Sequence, residues 1–227
     1  MARRSLPAFA TFWQRHETIY CEVFSVSLHE LADGPTSGDE NAISKRLCPI
    51  LCSVCFNFSQ SHNREIRMPV WEGPIQPVSE DELEAEPKRP DFTCKFSNPY
   101  AASAEEHEIP LHVECKCLGF PTSSSWILNR NYVTKGMRRF DGRSHEYGKR
   151  APSGMMIGYI IDMEPNRILE EVNQHKQKHL SYFPDMCLSD GEEQVFRNRQ
   201  NLKRKNVAPE KFDLIHLWID LRQNYQV

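Results

Sequence analysis

Apolar residues along this chain repeat at two different periods, and each period predicts a kind of element. Phe9, Phe12, Trp13, Ile19, Tyr20, Val23 and Phe24 fall at helical spacing, so residues 9–31 predict one or two helices. Asp33-Gly34-Pro35 stops them. Ser37-Gly38-Asp39-Glu40 reads as a capping box for a second helix carrying Ile43, Leu47, Ile50, Leu51 and Val54, with a kink expected at Pro49. Residues 65–71 predict a short strand. Strict alternation follows in two segments. Phe92, Cys94 and Phe96 face inward against Asp91, Thr93 and Lys95. Leu111, Val113, Cys115 and Cys117 then share one face, with His112, Glu114 and Lys116 on the other. Thr122 to Ser125 predict the cap of a helix reaching about Phe140, with Trp126, Ile127, Tyr132, Val133 and Met137 on its apolar face.

The apolar run from Met155 to Ile161 predicts a strand buried on both faces. Pro165 opens a helix through about Leu180, and Phe212 to Leu221 forms the last strand. His216 shares a face with Leu214 and Trp218, which favours a core histidine over a catalytic one. The order predicts an α/β sandwich with a mixed central sheet. One domain spans 1–227, comprising a helical part over 1–60 and the hairpin, helices and remaining strands over 65–227.

Composition narrows the options. No apolar run approaches the ~20 residues of a membrane span, and Met1-Ala2-Arg3-Arg4 is followed by no apolar signal segment, so the expectation is a cytoplasmic protein. Eight cysteines are then thiols rather than a disulfide framework. Cys48, Cys52 and Cys55 have the spacing of an iron–sulfur loop, yet they sit in an apolar, glycine-free run that reads as helix. The net charge of −3 excludes an unselective polyanion binder. Its distribution is uneven. Arg197, Arg199, Lys203, Arg204 and Lys205 crowd one segment, Lys135, Arg138 and Arg139 open another, and acids gather at Glu80, Asp81, Glu82, Glu84 and Glu86. These eight basic residues are candidate phosphate contacts; a plainly solvated basic surface is the competing reading.

Asp91 and Glu114, on neighbouring strands and with Lys116 beside the second, form a set that can hold Mg²⁺ against a phosphate and activate a water. Pro90-Asp91 with Glu114-x-Lys116 resembles the PD-(D/E)xK nuclease superfamily, the restriction-endonuclease-like fold. A second triplet, Glu86-Pro87-Lys88, is set aside because its proline and acidic surroundings predict a loop. The resemblance implies a metal-dependent nuclease. Asp91, Glu114 and the Cys115 carbonyl would hold Mg²⁺ (or Mn²⁺). Lys116 would orient or deprotonate the water or stabilise charge, and Asn131, Lys135 or Arg138 would stand beside the scissile phosphate. Glu40 would supply a further acid to the metal; closure of its own capping box is the equal alternative. The resemblance further implies DNA as substrate, with RNA open, a role in antiviral defence, an ATPase or sensor subunit as partner, and a homodimer as one option. Three rivals stand beside it: a cross-strand Glu114–Lys116 ion pair on a solvated face, a non-catalytic binding module of the same fold, and an iron–sulfur enzyme on Cys48, Cys52 and Cys55.

Overall fold

The computed structural model describes residues 6–77, 88–189 and 194–226. Met1 to Arg4 and the acidic run from Glu80 to Glu86 lie outside them. Helix α1 (Leu6–Ala32) is one continuous helix, and α2 (Glu40–His62) passes through Pro49. Between them lies β1 (Thr36–Ser37), paired with the C-terminal β8 (Tyr225–Gln226). The strand expected over 65–71 shrinks to β2 (Val70–Trp71), because Pro69 and the left-handed Glu72 bracket it. The hairpin is β3 (Phe92–Ser97) against β4 (Glu108–Leu118). After β4 come a single turn, α3 (Leu128–Asn131), then β5 (Ser153–Ile160), α4 (Pro165–His179), β6 (Val195–Lys203) and β7 (Lys211–Asp220).

Six strands form one mixed sheet in the order β2-β3-β4-β5-β7-β6. β4, β5 and β7 run parallel, while β3 and β6 lie antiparallel to their neighbours. Alternation decides which face each residue serves. Leu111, Val113, Cys115, Met155, Ile157, Leu217 and Ile219 pack under α1 and α2. Met156, Ile160, Leu214 and Trp218 pack on the other side with Tyr132, Met137, Phe140, Ile168 and Val172. Helices cover both faces, so the protein is an α/β sandwich around a mixed sheet.

Two further elements differ from the sequence pattern. The helix expected over 122–140 is broken up: residues 122–127 are a loop, α3 is followed by a π-turn over Tyr132–Gly136, and a 3₁₀ segment closes Met137–Asp141. Pro121 and the serine run hold the start out of helix, leaving Trp126 exposed rather than on an apolar face. The basic stretch from Val195 is an edge strand, β6, whose Val195, Gln200 and Leu202 point inward. His216 is the core histidine expected: it is buried between the Tyr132 hydroxyl at 2.7 Å and Gln200 Oε1 at 2.9 Å, and burial pushes its pKa down to about 3.

Candidate active site

The register of the hairpin assembles the acids. Phe92 pairs with Val113, and continuing that pairing by one residue sets Asp91 opposite Glu114. There the strands diverge, and the edge of β4 loses its partner. Its freed backbone N–H groups are taken by side chains: Cys115 N donates to Asp91 Oδ2 at 2.5 Å, and Cys117 N donates to Glu40 Oε2 at 3.3 Å. A notch in the sheet is thus lined by carboxylates, because a buried strand edge needs acceptors.

Lys116 fills the notch. Its Nζ donates to Glu40 Oε1 at 2.6 Å, Glu114 Oε1 at 2.7 Å and the Cys115 carbonyl at 2.6 Å, and lies 4.0 Å from Asp91 Oδ2. Arg139, from the 3₁₀ segment, donates to the same Glu114 oxygen. Glu114 is wholly buried, so its face is not the solvated surface that a simple cross-strand ion pair would occupy. Glu40 does not close a capping box. Asp39 is the cap, accepting from Ala42 N at 2.9 Å, and leaves the Glu40 carboxylate free to reach Lys116.

Electrostatics follow from burial. Desolvation pushes Glu114 up to about 7 against the pull of Lys116, and raises Glu40 for the same reason. Burial favours a neutral Lys116, but Glu114, Glu40 and Asp91 outweigh it and hold its pKa above the ordinary value. Three carboxyl groups face two cations. Glu114 Oε2 is buried with no hydrogen-bond partner, an arrangement that costs free energy unless something positive meets it. Asp91, Glu114 and the Cys115 carbonyl offer hard oxygens, which suit Mg²⁺ or Mn²⁺ better than zinc. Among the described residues no three His, Cys, Asp or Glu side chains group around a metal position. Lys116 Nζ occupies the space between the carboxylates.

The other candidates separate. Lys135 and Arg138 are exposed on the segment after α3, and Asn131 is buried with neither amide atom partnered. Arg139 joins the cluster directly; its basic character gave no sign of a partner 25 residues away. Arg197, Arg199 and Lys203 lie on β6, at the sheet edge with β5 and β7 between it and β4, so they do not border the notch. Arg199 is held by Glu17 and Asp213, and Lys203 by Glu210. Arg204 is no surface contact. Its guanidinium is buried and donates to the carbonyls of Phe140, Tyr147, Gly148 and Pro209, because the turn between β6 and β7 folds back over it. Lys205 is exposed over the Tyr182 ring. Cys48, Cys52 and Cys55 lie on α2, with Cys52 exposed, Cys48 half-buried and Cys55 buried.

Comparison with protein-family models, with curated proteins and with solved structures finds no match to this chain.

Proposed function

We propose that this chain is a metal-dependent nuclease of the PD-(D/E)xK type, hydrolysing phosphodiester bonds in DNA. One observation supports the reading most: Glu40, Asp91 and Glu114 converge on a single ammonium at the point where β3 and β4 part, with a buried, unpartnered Glu114 oxygen beside it. Removing charged groups from water is expensive, and only two of the three acids, Asp91 and Glu40, accept from freed backbone N–H groups.

In this reading Asp91, Glu114 and the Cys115 carbonyl would hold Mg²⁺ or Mn²⁺, which neutralises phosphate charge and acidifies a water. Glu40 holds Lys116 from the opposite side and fixes the end of its side chain. So held, Lys116 is a cation, suited to stabilising charge on the phosphate rather than to accepting a proton. Arg139 donates to Glu114 Oε1 beside Lys116, which leaves Oε2 unpartnered. The expectations of DNA rather than RNA, of a defence role, of an ATPase or sensor partner and of a restriction-endonuclease-like fold rest on the resemblance of Pro90-Asp91 and Glu114-x-Lys116.

The test is incubation with plasmid, single-stranded DNA and RNA in Mg²⁺, Mn²⁺ or EDTA, beside Lys116→Ala and Asp91→Asn. Cleavage that needs the metal and is lost in both variants is expected. No cleavage of any substrate, with both variants folded, would favour a non-catalytic binding module.

A further inference from the structure

Gly119 follows β4 directly and begins a loop, 119–127, that exposes two large aromatic rings, Phe120 at 45% and Trp126 at 49%. Single exposed apolar residues need no explanation, but these two are held in place and each has a cation on its face. Lys135 Nζ lies 3.7 Å from the centre of the Trp126 ring, and the Arg167 guanidinium lies 5.3 Å from that of Phe120. The loop is rigidly tied. Phe120 N donates to Asp162 Oδ1 at 2.7 Å, Thr122 N donates to the Trp126 carbonyl at 3.1 Å, Trp126 N donates to Ser123 Oγ at 3.0 Å, and Arg130 donates to the Ser125 carbonyl at 2.6 Å.

The loop is continuous with the strand that carries Glu114 and Lys116. Its start is the residue after β4, three positions beyond Lys116. At its far side the Trp126 ring is covered by Lys135, whose neighbour Gly136 packs so closely that a Cβ there would sit 3.4 Å from Lys116 Cγ. Lys135 and Arg167 lie over the two rings, and Arg130 is bonded to the loop at the Ser125 carbonyl. Arg167 is paired with Glu171, whereas no described carboxylate pairs with Lys135.

We infer that Phe120 and Trp126 form a stacking platform that binds unpaired bases of a single strand, while Lys135 and its basic neighbours take the backbone and lead it toward Lys116. Rigid exposed rings among cations suit strand binding without sequence choice, since every base has a flat face to stack. A duplex keeps its bases stacked on each other and offers these rings nothing. The inference rests on the proposed nuclease site for what happens to the strand afterwards, but not for the binding.

The experiment measures binding in EDTA, where no metal-dependent cutting occurs. Labelled oligothymidylate and oligouridylate of roughly 12 nucleotides are compared with a duplex of equal length and with an abasic strand that keeps the phosphates alone. Wild type should bind the base-bearing strands more tightly than duplex or abasic strand, and the two base-bearing arms report DNA against RNA. Trp126→Ala should weaken base-bearing strands about tenfold and leave the abasic strand unchanged. Trp126→Phe should retain most of the affinity and shows that loss is not misfolding, as does an unshifted melting curve. Equal affinity of Trp126→Ala and wild type, or equal loss on the abasic strand, would overturn the platform. Absence of cleavage by wild type in Mg²⁺ would instead overturn the nuclease site and leave this result standing.

Discussion

Glu114→Gln should change the pH dependence of stability by an amount the burial of Glu114 sets. In the folded chain Glu114 keeps its proton to about pH 7, against an ordinary value of 4.5. The unfolded chain releases that proton near 4.5, so between the two values the folded state binds more protons and its stability falls as pH rises. Across the window the loss is on the order of 3 kcal/mol, at roughly 1.4 kcal/mol per pH unit. Glutamine keeps the shape and removes the titration. The difference between the two proteins therefore reports chiefly the titration of Glu114. From pH 4.5 to 8 the variant should therefore gain on wild type by up to about 3 kcal/mol, or roughly 6–12 °C in melting temperature for a chain of this size. Thermal melts in EDTA at pH 5, 6, 7 and 8 read it directly. Mg²⁺ at about 100 times its dissociation constant should restore close to 3 kcal/mol to wild type at pH 8 and little to the variant. Parallel wild-type and variant curves across the whole range would refute the reasoning, since Glu114 would then be ionised at ordinary cost.

Other outcomes follow from particular contacts. Arg204→Ala should destabilise the fold by about 3–5 kcal/mol in denaturant titration, because four carbonyls lose a charged donor, whereas Lys203→Ala should stay within about 0.5 kcal/mol. Gly136→Ala should cut activity several-fold with a stability loss of about 1–2 kcal/mol, since its Cβ would meet Met156 Cε at 2.5 Å and crowd the Lys116 stem; a nuclease assay beside a melt separates the two effects. Asp141→Ala should cost about 2–4 kcal/mol by the same melt, as it accepts from the backbone N–H groups of Lys205, Asn206 and Val207 and from the Tyr182 hydroxyl.

The hairpin is legible in the sequence because it alternates throughout, β5 because it is one continuous apolar run, and α4 because Pro165 marks its first turn. Asp91, Glu114 and Lys116 are legible for the same reason as the hairpin: alternation fixes faces, and one register step brings the acids opposite. Glu40 is readable only as a choice, since a first-turn glutamate serves a cap or a distant partner equally well until Asp39 is seen to take the cap. β6 is hidden because an edge strand needs few inward residues, and Arg197, Arg199 and Lys203 give its outer face the look of a basic surface. Arg204 carries no local sign of burial; its fate depends on carbonyls of residues 140–148, which only the turn after β6 brings near. Arg139 reaches Glu114 through a π-turn and a 3₁₀ segment, and neither has a period that a sequence pattern exposes.

The central claim is that the acids at the β3–β4 divergence form a divalent-cation site. Titration of the metal-free protein with Mn²⁺, followed by the loss of the free-ion signal in electron paramagnetic resonance, tests it most directly. The account predicts saturable uptake of Mn²⁺ by wild type, competed by Mg²⁺, and its loss in Asp91→Asn and Glu114→Gln while both remain folded. No uptake by wild type at millimolar Mn²⁺, or uptake undiminished in both variants, would contradict it.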